Sequence, residues 1–497
     1  MKRILYLLPL SFIGMILFFA ECSKERLSNS TSSYFLNKER SVFTRSYSDE
    51  VNHPDYSVSR EMVESFINNT SKREQTQYSI TAYPSEENPV LFIVNFEEGW
   101  KIVPGDSRFG LILAESATGH IDLYEIMDNP GLHLWIEDYQ LQIESAQGRI
   151  IGGNTVKQSV QIWDLFRAPG VNDSLVVEQY LRSGEMMWGK INYQSSTVID
   201  TIGYTEPLLQ TKWGQGNPWN VSMPEMNGSK CKTGCAAVAV SQVLYCFHNQ
   251  QNMPSGLYDM VSLSGITTLH EGTDSIPYFS VSVSRSEFTS NSLLWNNMPF
   301  DNTAVNPTGY KNVSDLMLDV GARLGLHYSP SDTHKHVGTS CYYDTSPCKV
   351  SGTWAPYSMA VLAAVVSSLD SNKPVITSAQ SVNGGGHTWV IDGYLIEEIT
   401  RTNTYEWWPV NMIPPGTVVF EYKSVNELLE EYNYMIYQGM PEVSETTDFY
   451  RFFHMNWGWD GNGDGYAIVG SPYYNWQGFT NNIAVQLFLV PDEFTVN

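Results

Sequence analysis

The chain has 497 residues, too many for one ordinary domain, and its 42% hydrophobic and 13% aromatic content argues for packed cores rather than disorder. Its formal net charge is −24, from 53 acidic and 29 basic residues. No basic tract offers a phosphate footprint, so nucleic acid is excluded from the expected partners.

The N-terminus has the layout of an export signal. Met1-Lys2-Arg3 is a short basic start, Ile4 to Ala20 is apolar, and small and polar residues follow. Cys22 directly after this run is the position a bacterial lipoprotein acylates. Glu21 departs from the small residue usual before such a cysteine, so plain secretion is the alternative. Residues 1–22 are therefore read as a signal peptide, of lipoprotein type if Cys22 carries lipid, and 23–45 as a flexible tether. No other stretch is long and apolar enough to span a bilayer.

From Glu61 a helical pattern begins (Met62, Val63, Phe66, Ile67). PVLFIVNF, GWKIVPGD and LILAES then read as strands, and Asn129-Pro130-Gly131 as a turn before the helical LHLWIEDYQLQIESAQ. Apolar periodicity fades over 171–205, and from Glu206 the chain becomes rich in Trp, Gly, Pro and Asn. Residues 46–200 are thus expected to form an α+β domain with a linker, and 201–497 a second domain. That second domain predicts helices after Cys235, over Ser314–Leu326 and over Ser358–Leu369. Strands follow at PVITSAQ, HTWVIDGYLI, FYRFFHMNWGW, YAIVG and NIAVQLFLV. Helices first and an antiparallel sheet afterwards is again an α+β order.

Six cysteines are too few for a disulfide scaffold. Cys341 with Cys348 is one candidate pair; Cys231 and Cys246 either pair or remain buried thiols. Cys235 differs from all of these. The turn Thr233-Gly234 delivers it to the start of an apolar helix, where unpaired N–H groups and the helix dipole favour thiolate over thiol.

Three further strings supply what a nucleophilic thiol needs. In GGGHTWVIDGY, His387 stands at the mouth of a strand behind three glycines, about 150 residues after Cys235, a base–nucleophile separation seen in papain-like folds. In FHMNWGWDGNGDGY, Asn456 is a candidate to bond the far ring nitrogen of His387, and Trp457 to shield that bond. In KWGQGNPWN, Gln215 lies where its amide and the Cys235 N–H can share an oxyanion, a donor worth roughly 3 kcal/mol in kcat. The run Asp460 to Gly465 has the opening spacing of an EF-hand loop, but Ser471 replaces the bidentate Glu, so a glycine-rich turn and no required metal are expected.

Taken in order, these strings resemble the streptopain family, the papain-like cysteine peptidases of bacteria. LLWNNMP and SDLMLDVG add to the likeness, and LFIVNFEEGWKIVPGDSRFGLILAESATGHID resembles the family's prodomain. The resemblance covers roughly 85–150 and 205–490. It implies a papain-like α+β fold behind a separate inhibitory prodomain, protein or peptide substrates, and no cofactor. It implies Cys235 as nucleophile, His387 as base then acid, Gln215 as oxyanion donor, and Asn456 or Trp457 as the orienting group. It also points to Gly386 and Ser340 along the substrate groove, and to activation by a cut within 190–208. The chain departs from the family in a long insertion within 395–453, containing the helical SVNELLEEYNYMIYQ, expected to shape substrate access or a partner surface. The alternatives are a papain-like acyl transferase of transglutaminase type and an inactive, partner-binding lipoprotein.

Overall fold

A computed structural model describes residues 56–70, 77–146, 159–160, 163, 174–180, 186–250, 265–270, 278–283, 295–331, 333–335, 350–356, 359–381, 386–409, 442–469 and 483–494. Ser340, Cys341, Cys348, the signal and tether, and the expected insertion helix lie outside these residues. The described residues fold within one compact unit spanning Asp55–Asn497.

Its frame is a 12-stranded antiparallel sheet. In chain order the strands are β1 Tyr78–Tyr83, β2 Leu91–Phe96, β3 Trp100–Pro104, β4 Ala114–Ser116, β5 Ser174–Tyr180 and β6 Met186–Thr205. Then come β7 Val350–Pro356, β8 Val375–Ser381, β9 Gly386–Pro409, β10 Glu442–Asn456, β11 Gly465–Ile468 and β12 Ile483–Phe494. The spatial order is β1-β2-β3-β4-β11-β10-β9-β8-β12-β7, with β6 paired to the distal half of β9 and β5 to β6.

The expected α+β class is met, and the N-terminal region is joined to the C-terminal half through this one sheet. β4 pairs with β11 through Tyr466↔Glu115 and Ala467↔Ala114, which satisfies the open backbone edges of both. One hydrophobic core then runs across the join, from Phe66, Phe92 and Trp135 to Trp389, Phe452 and Phe453.

The region read as linker is also structured. β6 lies along β9 from Tyr394↔Thr205 to Pro409↔Gly189, so most of the 190–208 stretch is ladder. The insertion likewise begins as ladder: β9 and β10 stay paired from Gly393↔His454 out to Tyr405↔Glu442. At about 3.3 Å per residue, the end of β9 is roughly 70 Å along the strand from His387. The described ribbon thus runs away from the histidine. Its surface exposes Val198, Ile199, Ile202, Tyr204 and Phe449.

Six α-helices stand among the described residues: α1 Arg60–Thr70, α2 Leu123–Asp128, α3 Pro130–Ala146, α4 Cys235–Tyr245, α5 Pro307–Arg323 and α6 Met359–Asp370. α5 begins seven residues earlier than its apolar spacing predicts. Asn306 caps it, accepting from the Gly309 N–H, with Pro307 at the first helical position. Asn129-Pro130-Gly131, read as a turn, is instead the cap and first turn of α3. The Asn129 Oδ1 accepts from the N–H groups of Gly131 and Leu132 at 3.1 and 3.2 Å.

α4 is apolar on all sides because it is enclosed on all sides. Ala236, Ala237 and Val238 pack with Trp213, Trp219, Leu316 and Tyr328, whereas Ala239 and Val243 pack with Ile376 and Val390 of the sheet. The helix therefore lies at the seam of the helical side and the sheet, with Cys235 at its open end.

Candidate active site

Gly234 precedes Cys235 at φ 91°, a conformation that disfavours other residues, and a Cβ there would fall 2.8 Å from the Thr333 Cγ2. This glycine turns the chain sharply enough for the thiol to emerge at the first residue of α4. His387 is brought opposite by β9, whose first rungs pair with β8 (Ala379↔His387, Ser378↔Thr388). The imidazole is 3% exposed, whereas Cys235 keeps partial access.

His387 Nε2 lies 2.8 Å from the backbone oxygen of Trp457. A carbonyl only accepts, so Nε2 carries the hydrogen and Nδ1 is the nitrogen left to face the Cys235 sulfur. Burial opposes a thiolate at Cys235. The charge and hydrogen bond of His387 and the hydrogen bonds from Thr388 outweigh it, and the thiol is held below its usual value. Burial likewise favours neutral His387, but the thiolate and the bonds to Cys235 and Trp457 lift the imidazole above its usual range. Both shifts run in the direction of a thiolate–imidazolium pair.

Asn456 does not make the bond expected of it. Its Oδ1 accepts from Gln242 Nε2 and the Gly458 N–H, and its Nδ2 donates to the Thr211 oxygen. The orienting contact to His387 comes from the next residue, and through its backbone. The Trp457 indole is buried, 5.3 Å from the Trp389 ring, which in turn stacks on His387, so the two indoles shield this side of the imidazole. Asp464 Oδ1 accepts the Trp457 N–H at 3.0 Å.

Gln215 is nearly buried, and its backbone oxygen accepts the Thr233 N–H, tying its loop to the turn before Cys235. Among the described residues its side-chain amide has no protein partner, as an oxyanion donor requires. Gly386 is exposed beside His387, opposite Gln380 in the β8–β9 ladder. Cys231 and Cys246 are buried on either side of Cys235 in sequence and are not joined in a disulfide; the Cys246 thiol donates to the Leu208 oxygen at 3.7 Å. Burial raises Cys231, the reverse of Cys235. The run Asp460–Gly465 forms turns, and its Asp460 accepts from the Trp219 indole and Asn302.

Several contributors escaped the sequence reading. Thr388 stood in the histidine string but bore no chemistry of its own. Buried Asp392 and part-buried His454 form a 2.6 Å pair behind the site, and Asp392 Oδ2 also accepts the Leu209 N–H, anchoring the Gln215 loop to the sheet. An aspartate inside an apolar strand was the available signal. Gly131 of α3 is the third: a Cβ there would stand 2.5 Å from Trp457 Cε3 and 2.6 Å from His387 Cδ2. The N-terminal region therefore rests directly on the imidazole edge. Asn129 Nδ2 donates to the Asn462 oxygen, and the Trp135 indole to the Ile468 oxygen, clamping α3 along the strand and turn behind Trp457.

Residues 213–411 match the model of the Peptidase C10 family, the streptopain family resembled by the motifs. The thiol protease/hemagglutinin PrtT of Porphyromonas gingivalis is 23% identical over 274 residues, covering 52% of this chain and 26% of that protein. The matched stretch is thus about a quarter of that relative's length. Among solved structures, a prointerpain A fragment of Prevotella intermedia aligns with TM-score 0.48 at 18% identity, covering 83% of this chain and 98% of the fragment. Active interpain A of the same organism aligns with TM-score 0.36 at 20% identity, covering 58% and 95%.

Proposed function

We propose that this chain, a member of the Peptidase C10 family through residues 213–411, is a cysteine endopeptidase made as a zymogen and exported. One observation carries the reading: Cys235 at a helix start is paired with a buried His387 whose far nitrogen is tied to the Trp457 carbonyl. The thiolate attacks the scissile carbonyl while the Gln215 amide and the Cys235 N–H take the oxyanion charge. His387 gives its Nδ1 proton to the leaving amine, leaving an acyl thioester. It then draws a proton from water, which releases the acid and restores the thiol pair. Gly386 lines the groove beside the base, and Ser340 is a further groove candidate.

The N-terminal region acts as the inhibitor. Gly131 packs on His387 and Trp457, and Asn129 and Trp135 hold α3 in place. Residues 1–22 direct export, with Cys22 as a lipid anchor where it is acylated.

The test is expression from Ser23 followed by processing and an irreversible thiol-directed peptidase inhibitor. One equivalent labels Cys235 and casein cleavage stops; Cys235→Ala yields inactive, uncut precursor. Normal casein cleavage by Cys235→Ala would overturn the reading. An added amine acceptor separates hydrolysis from acyl transfer, since a transglutaminase-type enzyme would yield mainly the amine adduct.

A further inference from the structure

A chain of buried amides crosses the back of the site. The Trp213 N–H donates to Gln242 Oε1 at 3.3 Å, Gln242 Nε2 donates to Asn456 Oδ1 at 2.9 Å, and Asn456 Nδ2 donates to the Thr211 oxygen at 2.8 Å. All four residues are buried. The two ends are backbone groups, one only a donor and one only an acceptor, so the direction of every link is fixed. Gln242 lies two turns after Cys235 on α4, Asn456 ends β10, and Thr211 and Trp213 lead into Gln215. Three elements that carry separate parts of the site thus meet in one network.

The network also reaches the base. The Gly458 N–H donates to the same Asn456 Oδ1 at 3.2 Å. That N–H and the Trp457 carbonyl belong to a single planar peptide unit and point in opposite directions. Holding the N–H therefore aims the carbonyl, and the carbonyl holds His387 Nε2.

We propose that Gln242 and Asn456 are positioning residues that set the imidazole of His387 by gripping the rear of the Trp457–Gly458 peptide from the nucleophile's own helix. Helix α4 thereby fixes both members of the pair, Cys235 directly and His387 through two amides. The proposal rests on the peptidase reading above.

The chain carrying Gln242→Glu or Gln242→Met, expressed from Ser23 and processed by added wild-type enzyme that is then removed, is compared with wild type and with Cys235→Ala treated in the same way. Glu retains the acceptor for Trp213 but sets an unprotonated oxygen against Asn456 Oδ1; Met retains the volume and removes both bonds. Two quantities are read: kcat and KM on a peptide substrate, and the pH dependence of Cys235 alkylation by iodoacetamide. In both variants kcat is expected to fall about 100-fold with KM little changed. Cys235 alkylation shifts to higher pH, because a misaligned imidazolium no longer supports the thiolate. A lowered melting temperature with wild-type kcat and wild-type alkylation in the folded fraction would overturn the proposal, assigning the network to stability alone. So would full activity in both variants. Retained hydrolysis by Cys235→Ala would instead overturn the peptidase reading, so the two failures are distinguishable.

Discussion

Burial and His387 pull the Cys235 thiol in opposite directions, and His387 prevails. Lowering of the thiol keeps its thiolate reactive below the usual value of 9.0, and raising of His387 keeps the imidazolium present above 6.5. Iodoacetamide should therefore label Cys235 at neutral pH and leave buried Cys231 untouched; in His387→Ala the Cys235 profile should move up in pH. Gln215 acts on a different charge, one that exists only during the reaction. Gln215→Ala should lower kcat by about 10²–10³-fold while the alkylation profile stays as in wild type. At this scale the sequence was legible where a reactive residue type sat in an unusual local setting: Cys235 after a turn, His387 behind glycines, Gln215 in a Gly- and Trp-rich loop. It was not legible where the backbone does the work. Nothing in Asn456-Trp457 distinguishes a side chain that bonds His387 from a carbonyl that does. Gln242 lay inside an apolar helical run that reads only as core.

Helix α3 is the element packed against His387 and Trp457, and Gly131 is what lets it approach. Any side chain at Gly131 would have to displace Trp457, His387 or the helix itself. Gly131→Ala should loosen the N-terminal region and speed processing, followed as the half-life of precursor on a gel; unchanged latency would count against inhibition by this contact. Asn129→Ala should act the same way, losing a cap worth about 1 kcal/mol and the bond to Asn462. The helices were largely readable from apolar spacing, apart from ends set by caps such as Asn306 and Asn129. β6 was not, because its residues lack a clean alternation. It is a strand because β9 offers it a long backbone edge, and that partner lies about 200 residues away in sequence.

Across the whole molecule, one sheet joins the N-terminal region to the C-terminal half, so its attachment is tied to charge as well as packing. Glu397 on β9 is pushed up to about 7, by burial first and then by Glu115 of β4, with Lys101 opposing. Its usual value is 4.5, so the docked state holds a proton that a released one gives up between these values. Docking should therefore weaken as pH rises from 4.5 to 7, and Glu397→Gln should flatten that dependence. Processing rates between about pH 5 and 8 check both. This continuity could not be read from segment-by-segment periodicity, which marks each strand but not which strand completes which edge.

The long ladder between β6 and β9 has a consequence for the product of activation. A cut C-terminal to it, among the exposed residues Glu206 and Pro207, severs the chain without removing the strand. The processed enzyme would then be a nicked two-chain protein, its N-terminal fragment still laced to β9 by backbone hydrogen bonds. Release becomes a strand-exchange step separate from proteolysis. A synthetic peptide spanning residues 186–205 should compete with the fragment for the β9 edge and drive it off, detectable as a smaller species on native mass spectrometry.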